Sequence, residues 1–417
     1  MATTAPPASP TPGSSTPTAS MPAPSTPART SGLRTVVLLL VPLLLLVGVI
    51  ALFVRTNGAG LNVAPAAPIE TVQFGRTVLR PGRIELHVRN TSPEPITVAQ
   101  VNINDAIWPF AASPDRTIPR LGSAVVALEY PWVEGEAYEI SLLTSNAIPL
   151  AVSVPVATAT AGASAGTLWS FTLIGLYVGI LPVLLGMLWL PALQRLGPGT
   201  MLFLMAATVG LLLYLGLDAT AEALEGAGEI GGAFQGVGLV GIGIVGTWLL
   251  LDAVGRRQRS VGRSEAGQRR ALATVIAVGI GLHNLGEGLA IGAAYAVGAA
   301  ALGTFLVVGF IIQNITEGLG IVVPVAKDRP QLRTLALLGL IGGAPAIVGA
   351  WVGGLVSSRP LSVLFLAIGA GAVLQVAYEI GRQMVWKGGP ARERPLAVFG
   401  GVLAGMLVLY ATGLVIK

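Results

Sequence analysis

Stretches of about 20 residues without a charged side chain recur along this 417-residue chain, and they decide its class. They cover 35–54, 167–194, 200–217, 230–251, 334–358, 360–378 and 395–416, and the same apolar character runs through 271–295 and 303–326, each interrupted by a few polar residues and one glutamate. A helix crosses the hydrocarbon layer with roughly 20 apolar residues. The runs therefore predict nine spans, one isolated near the N-terminus and a block of eight from 167 to the end. Charged residues make up 11% of the chain, well under the roughly 25% of soluble domains, which excludes an ordinary soluble enzyme. The same apolar content excludes disorder as the main state. The lack of cysteine excludes disulfides and thiolate metal ligands.

Lysine and arginine in short connections set orientation. The loop 256–270 (RRQRSVGRSEAGQRR) carries six arginines. With that loop in the cytoplasm, strict alternation also places Arg195, Lys327, Arg329, Arg333, Arg382, Lys387, Arg392 and Arg394 inside, with Arg29 and Arg34 before the first span. The outer short connections keep only Arg359 and the terminal Lys417. The expected location is the plasma (inner) membrane, with the C-terminus outside. The basic loop reads as a topology signal; nucleic-acid binding lacks any motif or aromatic support.

Outside the spans, residues 1–33 form a Pro/Ser/Thr/Ala tail that cannot build a core and is expected to be disordered in the cytoplasm. The apolar run inside 34–55 reads as a retained anchor helix; a signal peptide is the competitor, but its apolar region spans about 7–15 residues. Residues 61–158 alternate apolar and polar side chains, as in RIELHVRN and EAYEISLL, between the turn signals RPG, SPEP, SPDR and EGE. That pattern predicts an antiparallel β-sandwich of roughly seven strands, on the extracytoplasmic side. His87 reads as structural there, and Trp108, Trp132 and Tyr138 as core anchors rather than a carbohydrate platform. The fold class is thus an all-α polytopic membrane bundle, eight core helices plus an N-terminal anchor, with an inserted all-β sandwich.

Ionisable side chains cost about 2.5–3.5 kcal/mol each at the bilayer centre and need a reason to be there. The fourth core span reads GLHNLGEGLAIG, with His283, Asn284 and Glu287; the fifth reads IIQNITEGLGIV, with Gln313, Asn314 and Glu317. Positions i and i+4 share a helix face, and i+1 lies beside them. Each helix therefore directs a matching trio of nitrogen and oxygen donors one way. NLGEGLAI and NITEGLGI agree at five positions, a pseudo-repeat of period 30. The motifs lie about 15 residues, or roughly 22 Å, on either side of Gly298. An antiparallel pair brings them to one level near mid-bilayer. Two carboxylates balance a divalent cation, and imidazole with hard oxygens suits zinc, iron(II) or manganese. The bland alternative is a polar helix–helix clamp.

At HNLGEG (283–288) and QNITEG (313–318), with the basic loop before the fourth core helix, the sequence resembles the ZIP family of divalent metal transporters. The resemblance covers 167–417. It implies an eight-helix transport domain with the fourth and fifth helices central and a binuclear site between them. One metal would take His283, Glu287, Gln313 and Glu317; the adjoining one Asn284, Glu287, Asn314 and Glu317, the glutamates bridging. Gly286 and Thr316 stand where the family has prolines, Gln313 stands where many members have histidine, and the histidine-rich loop is absent. Asp218 and Glu222, read as ending the second core helix, either collect cations at the entrance or form a solvated helix end. Glu379, near Gln375 and Tyr378 at the inner end of the seventh core helix, is an exit ligand, a proton acceptor or an interfacial residue. Asp252 is expected to pair with Arg256.

No catalytic constellation or Walker A sequence occurs, so enzyme action and ATP-driven pumping are not expected. The expected function is transport of a divalent metal ion as substrate (zinc first; iron, manganese or cadmium next) toward the cytoplasm. The alternative is a metal-responsive membrane sensor or scaffold whose outer domain binds a partner. Expected partners are the metal ion, the lipid bilayer and a second copy of the chain in a homodimer, with no nucleic acid. The sequence names no ligand for the outer domain.

Overall fold

A computed structural model describes residues 32–56, 69–160, 162, 164–259, 264–296, 300–356, 358–385 and 393–416. The tail 1–33 up to residue 31 lies outside the described residues. So do 260–263 within the basic loop, Gly298, Lys387, Arg392 and Lys417. The chain divides into two compact units, Met1–Ala67 and Pro68–Lys417. The first contains helix α1 (Gly32–Arg55), whose described apolar stretch, Leu40–Phe53, leaves its leucines and valines exposed.

The second unit begins with nine strands: β1 (Val72–Arg80), β2 (Arg83–Asn90), β3 (Ile96–Ile103), β4 (Ala106–Trp108), β5 (Ala111–Ser113), β6 (Thr117–Ile118), β7 (Ser123–Leu128), β8 (Tyr138–Thr144) and β9 (Pro149–Val154). Every pairing is antiparallel. One sheet runs β1-β2-β7-β5 and the other β4-β3-β8-β9, with β6 attached to β3. The count exceeds the expected seven because β4, β5 and β6 are only two or three residues long, too short to show a period of two. In β2 the alternation is clean. Ile84, Leu86 and Val88 are buried, while His87 and Arg89 point outward. Inward residues of both sheets make one core with Val126, Ile140 and Leu142. The hairpin between β1 and β2 turns through Pro81-Gly82, where Gly82 takes φ +74°, the left-handed value a type II turn needs at its third position. Trp108, Tyr130 and Tyr138 stack edge to face, and Tyr138 is buried, as expected of core anchors. His87 stands on the exposed face of its strand, because the strand period that buries Leu86 and Val88 turns position 87 outward.

Eight helices long and apolar enough to cross a membrane follow. The first span, Ala165–Leu193, is built from α2 (Ala165–Gly175), a π-turn (Leu176–Ile180), α3 (Leu181–Met187) and α4 (Leu190–Leu193). Then come α5 (Pro198–Gly228), α6 (Gly236–Arg259), α7 (Glu265–Ala296) and α8 (Ala300–Val322). The sixth span, Leu332–Leu355, breaks into α9 (Leu332–Gly343) and α10 (Pro345–Leu355); α11 (Arg359–Val385) and α12 (Pro395–Ile416) complete the set. This is a multi-pass membrane protein. Among the described residues, α7 is the most enclosed span, and α6 and α12 the most open.

Small residues set the packing. A Cβ at Gly318 on α8 would strike the Val183 carbonyl of α3. One at Gly288 or Gly292 on α7 would strike the Ala346 or Ala350 carbonyl of α10. Between helices in lipid, close backbone approach replaces the hydrophobic effect as the source of attraction. Two groups result: α5, α6, α11 and α12 pack chiefly on one another, and α2–α4 and α7–α10 do likewise, with α7 against α11 as the main seam. At the end opposite the β-domain, Arg269 on α7 holds Asp328 with bonds of 2.6, 2.9 and 3.2 Å. Lys327 donates there to the Gln194 and Leu196 carbonyls. These ties stay inside the second group. Asp252 and Arg256 form the expected ion pair, at 2.7 Å.

Candidate metal centre

The helical period of α7 puts His283 and Glu287 on one face, and that of α8 does the same for Gln313 and Glu317. Both pairs sit near the middle of their spans. The two faces meet. One ligating atom each from His283, Glu287 and Glu317 lies within 4.8 Å of the others, and all three residues are buried. His283 Nε2 stands 3.4 Å from Glu287 Oε1. Gln313 Nε2 donates to Glu287 Oε1 at 2.6 Å and lies 3.4 Å from His283 Nε2. Asn314 Nδ2 donates to Glu287 Oε2 at 3.0 Å. Asn284 stands beside Glu317. His283, Glu287 and Glu317 thus converge, with Gln313 and Asn314 bonded to Glu287 and Asn284 beside Glu317.

The two asparagines are aimed by backbone carbonyls on other spans. Asn314 Nδ2 also donates to the Val178 carbonyl at 3.0 Å, in the π-turn of the first span. Pro182, four residues on, has no N–H to offer that carbonyl, so the helix leaves it available. Asn284 Nδ2 donates to the Gly342 carbonyl at 3.0 Å, next to the break that Pro345 imposes between α9 and α10. With each amide nitrogen spent in this way, Asn284 Oδ1 and Asn314 Oδ1 are buried without a hydrogen-bond partner. Neither carboxylate oxygen of Glu317 accepts a hydrogen bond of normal geometry, although Gln313 and Asn284 stand beside it.

Four orphaned oxygens in one buried place are costly, since an unmade buried hydrogen bond forfeits about 1–3 kcal/mol. A cation would meet that whole set at once, whereas a polar clamp between helices would have paired these groups with one another. The chemistry of the donors, one imidazole, two carboxylates and three amide oxygens, fits a borderline divalent ion.

Asp218 and Glu222 do not end their helix. α5 runs on to Gly228, because the alanine-rich turn after Glu222 continues it. Both are exposed and line a cavity of about 40 Å³ whose floor is His283, Glu287 and Gln313. Phe310 and Leu366 form its walls. Glu379 lies away from this cluster. It is buried at 3% exposure, accepts from Gln383 Nε2 at 3.0 Å and has Arg382 4.0 Å away. Its neighbour Gln375 is buried too, whereas Tyr378 faces out against Trp248. The Val178 and Gly342 carbonyls carry no sequence motif; the prolines that accompany them, Pro182 and Pro345, were the available signal. No family model matches this chain, and no curated protein matches it either.

Proposed function

We propose that the chain is a divalent metal ion transporter whose substrate site is the cluster of His283, Asn284, Glu287, Gln313, Asn314 and Glu317. One observation carries this reading. Glu317, Asn284 and Asn314 hold oxygens buried in the middle of the membrane block with no hydrogen-bond partner, beside a histidine and a second carboxylate within 4.8 Å. The resemblance of 283–288 and 313–318 to the ZIP family points the same way. Zinc is the first candidate, followed by iron, manganese and cadmium.

In this reading the positive-inside rule places the β-domain outside and the arginine-rich loop in the cytoplasm of the inner membrane. Ions enter past Asp218 and Glu222, lose water at the midplane site and leave toward the cytoplasm, drawn by concentration and membrane potential. Each charge gains about 2.3 kcal/mol per 100 mV of potential. The division of the helices into two groups, each stitched internally, suits alternating access by movement of one group against the other along the α7–α11 seam. Glu379 would then serve the exit only if that movement uncovers it.

The test is uptake of zinc, cadmium, iron or manganese into proteoliposomes by the wild-type chain and by Glu287→Ala/Glu317→Ala. Transport lost in the variant supports the reading; equal uptake overturns it. A sensor or scaffold is the second reading, favoured by the contacts that seat the β-domain on the helices, such as Arg89 over the Phe234 ring at 5.2 Å. Metal binding without any uptake by the wild-type chain would select it.

A further inference from the structure

The β-domain meets the helices at one end of the bundle. Arg89 covers Phe234 in the α5–α6 connection, Thr91 packs on Gly231, and Arg76 Nη1 reaches the Leu355 carbonyl at 3.5 Å. Beside these contacts opens a cleft of about 390 Å³, bounded on one side by the outward face of β1, β2, β5 and β7 and on the other by the start of α11. That volume lies within the range of small-molecule sites.

The lining has a definite chemical character. It contains His87, Arg89 and Arg359, with Gln73, Ser113 and Ser123, and no carboxylate. Strand register gathers the donors. Gln73 faces Arg89 across β1 and β2, and Ser123 faces Arg89 across β2 and β7. Farther along the same face of β2, Arg83 and Glu85 pair at 2.9 Å and neutralise each other, which leaves the His87–Arg89 end basic. Arg359 is tied to Glu229, so it frames the cleft more than it charges it.

Arg89 is pre-positioned. Its Nε donates to the Leu121 carbonyl at 3.2 Å, and its guanidinium lies on the Phe234 ring. Among the described residues its Nη atoms have no acceptor in the protein, and the side chains of His87, Gln73, Ser113 and Ser123 make no hydrogen bond. A guanidinium held flat, with a fork of free N–H groups, is the geometry that takes a phosphate or carboxylate in two bonds. Adjacent hydroxyls and an amide supply further donors, and the start of the 27-residue α11 adds a favourable field for negative charge.

We infer that this cleft is a binding site for a phosphate-bearing anion, wedged between the β-domain and α11, with Arg89 as its bidentate anchor and His87, Gln73 and Ser123 around it. The site is separate from the metal centre and requires no metal. The phosphate is carried by a lipid headgroup or by a soluble molecule, two sources with the same chemistry.

The experiment uses the full chain. Inorganic phosphate is titrated into the detergent-solubilised protein by calorimetry. In parallel, the protein in nanodiscs is tested for enrichment of phosphatidylglycerol over phosphatidylcholine. Three variants accompany it: Arg89→Gln, Ser123→Asp and, as control, Arg116→Gln, whose exposed guanidinium lies on Phe110 elsewhere in the β-domain. Ser123→Asp changes an exposed side chain and sets a negative charge opposite Arg89, so it tests the site even if Arg89→Gln loosens the domain seat. Saturable phosphate binding or phosphatidylglycerol enrichment, weakened at least about tenfold by Arg89→Gln and Ser123→Asp and unchanged by Arg116→Gln, is expected. Phosphate binding identifies a soluble source and lipid enrichment alone a headgroup. Absence of both in the wild-type chain overturns the proposal, and so does binding that Ser123→Asp leaves intact.

Discussion

Replacing the two site glutamates with glutamine one at a time separates a carboxylate that the protein already satisfies from one that it leaves open. Glu287 accepts from Gln313 at 2.6 Å and from Asn314 at 3.0 Å. In Glu287→Gln one of those oxygens becomes an NH₂ group facing another NH₂, so at least one bond to a charged acceptor is lost and its donor is stranded. Such a bond contributes about 1.5–3 kcal/mol in water-soluble proteins. Interhelical bonds in a membrane average nearer ~0.6 kcal/mol because the unfolded chain finds partners in the membrane too. A loss of about 1–3 kcal/mol is therefore expected in metal-free protein. Glu317→Gln breaks no such bond, because neither of its oxygens accepts one of normal geometry, and its metal-free stability should equal or exceed wild type. With metal the two variants converge, since each removes one of the two ligand charges. Wild type should gain about 2.7 kcal/mol at a metal concentration a hundred times the dissociation constant, and both variants should lose that gain. Unfolding of the purified full chain in micelles, with chelator and then with excess zinc, reads all four states. If Glu317→Gln destabilises the metal-free protein as much as Glu287→Gln does, Glu317 is satisfied within the protein and the reasoning from orphaned oxygens fails.

Gly318→Leu should lower the stability of the chain by at least about 1–3 kcal/mol, the usual cost of overpacking, because its Cβ meets the Val183 carbonyl; Gly286→Ala, whose nearest neighbour is a Leu366 methyl at 3.6 Å, should be tolerated. Parallel melting curves compare the two. Burial holds the Tyr138 phenol above its ordinary value of 10.0, with the bond to Glu136 acting in the same direction. The folded state therefore keeps this proton longer than the unfolded chain, and the stabilisation, full below pH 10, is lost as pH rises through the folded value. Denaturant unfolding of the full chain should show stability falling above that pH in wild type and a weaker fall in Tyr138→Phe.

Much of this protein is written in local patterns. Charge-free runs of about 20 residues can only be hidden in lipid, so they required a helical bundle. The period of two in RIELHVRN required a strand with one buried face. The spacing of His283 with Glu287 and of Gln313 with Glu317 placed each trio on one side of its helix. Such features depend on a few neighbouring residues, so they survive without knowledge of the rest of the chain. Other features depend on segments far apart. The placement of Asp218 and Glu222 in one cavity with His283 arises from packing of α5 on α11 and α12. The capture of Asn314 by the Val178 carbonyl joins residues 136 positions apart. The burial of Glu379 and the placement of His87 beside Arg359 were likewise set by which helices and sheets came to lie together. Periodicity states which side of an element is special, but the partner that side meets is chosen by the assembled fold.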